Sequence, residues 1–318
     1  MVKMFSTTKW FEDEWHYHSA TVDDREVSLP HYADYGDTDV TYTKVFTCKK
    51  QANMRYLFYC EGNPLDIQVV VNDRPQTAIL DKNSGCMCWD VTESVADTNT
   101  ITVSVADAPN GTRGGIHRNV WWRVTDAVAV VNLPQITTHF TAAGVACMRT
   151  ELRLANTTDA PRNVTVSYRV VSPKGETVHA FVKKTIVCPA VESIVPIAVD
   201  SLRVDAWTPA RPAVYRLEAE ITDGDTVVEK LSKAFAFRTV TFENDFCFVN
   251  GDMCFLKGIY YAQQDLLVPA DNGWWRLCRH AREMGCNALV TAAPPAFAED
   301  TALQMGLLLL KTDDLPQN

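Results

Sequence analysis

The chain has 318 residues, 47% of them apolar and 22% charged, with a formal net charge of −9 and a pI near 5.3. That length carries two or three domains with full cores, and the acidic balance argues against a nucleic-acid binder, which needs a basic face. No stretch approaches the run of about 20 apolar residues that a membrane helix needs, and Met1–Trp10 has two lysines and no apolar run, so we expect a cytoplasmic protein without a signal peptide.

Up to about Thr125 the sequence predicts short strands separated by turns. Thr41–Thr47, Arg55–Cys60, Ile67–Val71 and Ile101–Ala106 are the clearest strands, while Asn63-Pro64, Asn72-Asp73, Asn83-Ser84-Gly85 and Asn110-Gly111 supply turn residues. Val69-Val70-Val71 is continuous rather than alternating, which predicts a strand buried inside a sandwich. No long helical period interrupts this part, so residues 1–125 are expected to form a jelly-roll β-sandwich.

Residues 126–240 predict a second all-β block. Arg149–Leu154 and Asn163–Val170 alternate polar and apolar side chains, the pattern of half-buried strands. Thr177–Val187, Ser193–Val199, Val214–Thr222 and Thr226–Leu231 follow, joined by Pro-Lys-Gly and Asp-Gly-Asp turns. Six or seven short strands over this span match an immunoglobulin-like sandwich, although the Cys-Trp-Cys framework is missing.

From Thr241 the pattern changes. Phe246–Val249 and Met253–Phe255 flank Asn250-Gly251, a strong hairpin signal. Leu256–Ile259 then predicts a strand. Asp271 or Asn272 can cap a helix through Met284, with Trp274, Leu277, Cys278, Ala281 and Met284 on one face and Gly285 at its end. Ala288–Thr291 predicts a second strand, Pro294-Pro295 to Gly306 a second helix, and Leu307–Leu310 a third strand. Strand and helix alternate as in a parallel α/β barrel, which takes eight such units and about 250 residues. Residues 241–318 are therefore expected to be an incomplete (β/α) barrel segment of about three strands, with an uncovered edge through which copies of the chain could pair.

Little else in the sequence carries chemistry. The ten cysteines show no disulfide or zinc framework; Cys86 and Cys88 form a C-x-C without a second pair at ligand spacing. Free thiols in a reducing compartment, with no metal and no cofactor, are the expectation. Sequons begin at Asn110, Asn156 and Asn163, and without an export signal they read as chance matches. No H-E-x-x-H, G-x-S-x-G or phosphate loop occurs.

Four segments, in order, resemble glycoside hydrolase family 2, the β-galactosidase, β-glucuronidase and β-mannosidase group. Gly114-Gly115-Ile116-His117-Arg118-Asn119-Val120-Trp121 is similar to the Gly-Gly-Ile-Tyr-Arg-Asp-Val-Trp segment that ends the family's sugar-binding jelly roll. Trp207-Thr208-Pro209 with Pro212-Ala213-Val214-Tyr215 resembles Trp-x-Pro…Pro-x-Leu-Tyr of its immunoglobulin-like domain. Phe237-Arg238-Thr239-Val240 resembles the Gly-Phe-Arg junction, and Val249-Asn250-Gly251 with Leu256-Lys257-Gly258 resembles the Leu-Asn-Gly…Leu-Lys-Gly start of the barrel. The resemblance implies a multidomain, mainly β protein, with a jelly-roll domain over 1–125, an immunoglobulin-like domain over 126–240 and the start of a TIM barrel over 241–318. It also implies hydrolysis of β-O-glycosidic bonds at the level of the family.

Retaining glycosidases need two carboxyl groups about 5 Å apart, one as acid/base and one as nucleophile. In the family the acid/base glutamate follows an asparagine at the end of the fourth barrel strand, and the nucleophile ends the seventh. This sequence has no Asn-Glu dipeptide and holds only about three predicted barrel strands, so neither glutamate can be carried over and no catalytic residue is assigned. The family's second-strand motif Asn-x-hydrophobic-Arg-Thr-Ser-His-Tyr-Pro corresponds to Asn287-Ala288-Leu289-Val290-Thr291-Ala292-Ala293-Pro294-Pro295, with Val290 in place of the arginine and Ala293 in place of the histidine. Neither can hydrogen-bond a sugar hydroxyl. After the first strand, Gln264-Asp265 is a partial match to a substrate-facing group in the family, and Tyr261 beside it supplies an aromatic face. Tyr261, Gln264 and Asp265 are thus the candidate substrate-binding residues, with a β-glycoside carbohydrate as ligand. Two readings follow: part of a family 2 glycosidase that is inactive alone, or a non-catalytic carbohydrate- or protein-binding β-sandwich protein derived from that family.

Overall fold

The computed structural model describes residues 7–34, 37, 39–61, 66–81, 86–106, 114–131, 134–141, 143–244, 246–261, 270–291, 294 and 298–311. The chain divides into two compact units, one over Ser6–Ala127 and one beginning at Val128.

The first unit is an antiparallel β-sandwich. One sheet has the order Thr7–Trp10, Val120–Asp126, Met54–Glu61, Cys86–Asp90, Ala78–Asp81; the other runs Arg25–Val27, Trp15–His18, Val40–Thr47, Thr98–Val105, Ile67–Val71, Arg74–Gln76. Alternating residues of both sheets meet in a core rich in aromatic rings, including Phe11, Trp15, Tyr42, Phe58, Trp89 and Trp122. The Ile67–Val71 strand also alternates: Val69 and Val71 are buried, whereas Val70 is only half-buried on the other face. Its three valines follow β-propensity rather than burial on both faces. Gly115 and Ile116 pair with His31 and Tyr32, and Gly115 has φ +108°. A Cβ there would lie 2.5 Å from the His31 carbonyl oxygen, so only glycine fits this crossing.

The second unit contains another β-sandwich. Thr177–Val187, Arg162–Val171, Tyr215–Asp223 and Thr226–Phe235 form one sheet; in the other, Ala146–Asn156 pairs with Ser193–Leu202, Thr137–Phe140 and Val128–Val130. The core is aliphatic, with Val164, Val166 and Val170 meeting Met148, Leu152 and Ile197. A three-stranded antiparallel ribbon follows, Val240–Glu243, Phe246–Val249 and Asp252–Cys254. Its Asn250-Gly251 turn has φ +56° and +87°, the positive pair that a tight two-residue hairpin needs.

Three parallel strands complete the described chain: Gly258–Tyr260, Ala288–Thr291 and Leu308–Lys311. Helix α1 (Ala270–Glu283) joins the first pair and helix α2 (Ala298–Gln304) the second. Both helices end in a glycine cap. Gly285 N donates to Arg282 O and Cys286 N to Ala281 O; Gly306 N donates to Leu303 O and Leu307 N to Ala302 O. Because α1 closes at Glu283, Met284 lies beyond the buried stripe of Trp274, Cys278 and Ala281 and is exposed.

Candidate functional site

In a parallel α/β sheet, ligand-facing groups come from the carboxyl ends of the strands. Here the described residues at those ends are Tyr260 and Tyr261, Thr291, and Lys311, with Tyr260 opposite Val290 and Thr291 opposite Lys311. None is a carboxylate. Tyr261 N donates to Val290 O at 2.8 Å, which turns the chain back over the second strand. The Tyr261 ring then packs edge-on against Trp274, centroids 5.8 Å apart, and the residue is only 7% exposed. Trp274 is fully buried and donates through Nε1 to Ala298 O. Tyr261 therefore offers a wall more than an open stacking face, whereas Tyr260 and Trp275 are exposed, the latter beneath the Arg279 guanidinium. Gln264, Asp265 and Ala293 lie outside the described residues. Val290 is half-buried and packs into the apolar cluster formed by Ala288, Leu308 and Leu310. The Thr291 hydroxyl is fully buried without a hydrogen-bond partner, a polar group left at the position next to the absent arginine.

Carboxylates described on the two helices are paired with cations. Glu283 pairs with Arg279 four residues earlier on α1, and Asp300 accepts from Lys233 Nζ at 2.7 Å. That second pair is buried: side-chain exposures are 10% for Lys233 and 4% for Asp300, and Glu299 stands 3.8 Å from the same ammonium group. Burial also pushes the Cys278 thiol up to about 12 and lowers the Arg238 guanidinium, the latter partly offset by the charge of Glu299.

The Lys233–Asp300 pair belongs to a junction that fastens α2 to the sandwich. Trp207 is fully buried and donates through Nε1 to Leu303 O at 3.0 Å, while the Arg238 guanidinium lies 4.6 Å from its ring centroid. Asn250 Nδ2 donates to Trp207 O, and Asn250 Oδ1 accepts from Thr239 N. Gly306 passes so close to Pro209 that a Cβ would lie 2.5 Å from its carbonyl oxygen. An open groove of about 330 Å³ follows this seam, lined by Thr138, Phe235, Arg238, Glu299 and Leu303 among others. Among the described residues, no carboxyl end of a parallel strand lines it. Thus Trp207-Thr208-Pro209, Phe237-Arg238 and Asn250-Gly251 act here as structural fasteners.

Residues 129–238 match the family profile of glycosyl hydrolases family 2, which covers the second β-sandwich. A 114-residue stretch is 30% identical to a protein of Formosa agariphila named "Putative beta-glucuronidase", covering 33% of this chain and 11% of that protein. The second β-sandwich is thus similar to that of glycosyl hydrolases family 2. Two solved structures share its fold over nearly its whole length. One is a family 2 member from Bacteroides cellulosilyticus, 20% identical, with a TM-score of 0.79 over 95% of this chain and 47% of that one. The other is the β-glucuronidase of Bacteroides uniformis, 18% identical, with a TM-score of 0.83 over 96% of this chain and 42% of that one. The chain described here thus spans less than half the length of either structure.

The resemblance drawn from four short segments is borne out, as is the mainly β architecture. Sequence reasoning missed the Lys233–Asp300 pair and the role of Trp207 as an anchor for α2. The segment around Trp207 was visible in the sequence, but its partners lie 96 and 67 residues downstream of Trp207 and Lys233.

Proposed function

We propose that these 318 residues form the non-catalytic scaffold and carbohydrate-recognition part of a family 2 β-glycosidase, and do not cleave a glycosidic bond by themselves. The observation carrying this reading is chemical. Two carboxyl groups about 5 Å apart are required for retaining hydrolysis, and the described strand ends present Tyr260, Tyr261, Thr291 and Lys311 instead. The absence of an Asn-Glu dipeptide from the sequence and the apolar Val290 point the same way. Gln264 and Asp265 remain the proposed polar contacts to sugar, with Tyr261 proposed as a buried wall of that site and not as a stacking face. The exposed Phe246, Met253 and Phe255 of the ribbon supply the apolar surface for self-association beside the parallel sheet.

Purified 1–318 assayed against nitrophenyl β-glucuronide, β-galactoside and β-mannoside is expected to release no nitrophenol above the buffer rate. Turnover by the chain itself would overturn the proposal. Saturable binding of the corresponding methyl β-glycosides, weakened by Asp265→Ala, is the expected positive result; no binding of any of them would remove the recognition role.

A further inference from the structure

Cys247 and Cys254 sit directly opposite each other on the two antiparallel strands flanking the Asn250-Gly251 turn. They are the only described cysteines that are register partners, since Cys60, Cys88 and Cys147 face Met87, Tyr59 and His139. Opposed residues of an antiparallel pair have Cα atoms about 4.5 or 5.5 Å apart, depending on the hydrogen-bonding position, and both distances lie within the span a disulfide bridges. Their side chains also point the same way, because both pack into the one cluster that includes Trp207, Val249 and Leu308. Cys247 is 4% exposed, whereas Cys254 is half-buried. Asn287 fixes the second sulfur: its Nδ2 donates to Phe255 O and lies 3.6 Å from Cys254 Sγ, and its Oδ1 accepts from Lys257 N.

We propose that Cys247 and Cys254 are a redox modification site, closing a reversible intramolecular disulfide when a small disulfide such as oxidised glutathione is supplied. Cys254, the more accessible thiol, loses its proton to solvent and its thiolate attacks one sulfur of oxidised glutathione. The glutathione S–S bond breaks, one glutathione thiolate leaves, and a mixed disulfide forms on Cys254. The Cys247 thiolate, formed by loss of its proton to solvent, attacks the Cys254 sulfur and expels the second glutathione. The two leaving thiolates take up the two protons released. In sum two cysteine thiols are oxidised, and one oxidised glutathione is reduced to two thiols. The turn holds the second thiol against the first, so its effective concentration exceeds millimolar glutathione and the intramolecular bond outcompetes the mixed one. Burial raises the pKa of both thiols, which makes exchange slow at neutral pH. The bond would staple the ribbon at the point where it enters the parallel sheet.

The test is peptide mapping of native 1–318 after incubation with oxidised glutathione, acid quench, and alkylation under denaturing conditions. The expected product is a peptide pair spanning residues 247 and 254 that has lost two hydrogens, outnumbering glutathionylated Cys254 by more than about tenfold and returned to two alkylated thiols by dithiothreitol. In Cys247→Ser, glutathione is expected to remain on Cys254. Stable glutathionylation of Cys254 in the wild-type protein, or full alkylation of both cysteines after the incubation, would overturn the proposal. So would a Cys247→Ser protein that carries no adduct under conditions that oxidise the wild type.

Discussion

Replacing Lys233 by methionine tests the ion pair that joins the sandwich to α2. The ammonium group lies 2.7 Å from Asp300 and 3.8 Å from Glu299, with its side chain 10% exposed. Removing it leaves the Asp300 carboxylate buried beside a second negative charge, and such a break costs about 3–5 kcal/mol. Asp300→Leu leaves Lys233 within reach of Glu299, whose side chain is half exposed, so the loss is smaller, about 2–3 kcal/mol. The double replacement removes both desolvation penalties and is expected to fall within about 1 kcal/mol of wild type. The cycle therefore predicts a coupling of about 3 kcal/mol or more. Native-state hydrogen exchange at the amides of Thr226–Phe235 and Ala298–Gln304 reads it locally, without requiring that the whole chain unfold in one step. Losses that add to within about 0.5 kcal/mol would show that the two groups act independently and would refute the argument.

Trp207→Phe keeps an aromatic ring but removes the indole donor and leaves the Leu303 carbonyl with the Gly306 N–H, so the same amides of α2 are expected to lose about 0.5–1.5 kcal/mol of protection, and an unchanged exchange pattern would contradict the anchoring role. Gly115→Ala forces a Cβ to 2.5 Å from the His31 oxygen at φ +108°, and residues 7–127 should lose at least about 3 kcal/mol in urea titrations followed by aromatic fluorescence. Burial alone would raise the Asp90 carboxyl, but hydrogen bonds from Thr92 and Arg55 and the Arg55 charge outweigh it and hold the group below the usual carboxylate range. Its contribution is therefore present above the unfolded value of about 3.9 and lost as pH falls through that value and the folded one. Asp90→Asn should flatten the acid limb of the urea midpoint between pH 5 and pH 2 (a window of about one to two units either side of the unfolded value), and an unchanged limb would show that Arg55 and Thr92 do not stabilise the charged form.

Local signals in the sequence were easy to read. Asn250-Gly251 dictates a tight turn, Gly285 and Gly306 stop their helices, and the spacing of Trp274, Cys278 and Ala281 marks the buried face of α1. What the sequence hid depends on distant partners. Lys233 reads as one more polar strand residue until Asp300 arrives 67 positions later, and Tyr261 looks like a ligand platform until α1 brings Trp274 against it. Val69-Val70-Val71 misled for a related reason: β-branched residues suit either face of a strand, so their order says little about which face is covered. Within the candidate site, the replacements at Val290 and Ala293 were legible because they change chemistry and not merely size, and Val290 is indeed part of an apolar cluster.

Trp207 also bears on where this protein can be cut. Producing the two sides of residue 240 as separate pieces parts the indole from Leu303 and Lys233 from Asp300. Each fragment would inherit an unmet need of the other: a bare indole and cation on one side, an unpaired acid on the other. Such halves are poor modules for shuffling into new proteins, because neither carries a finished surface at the break.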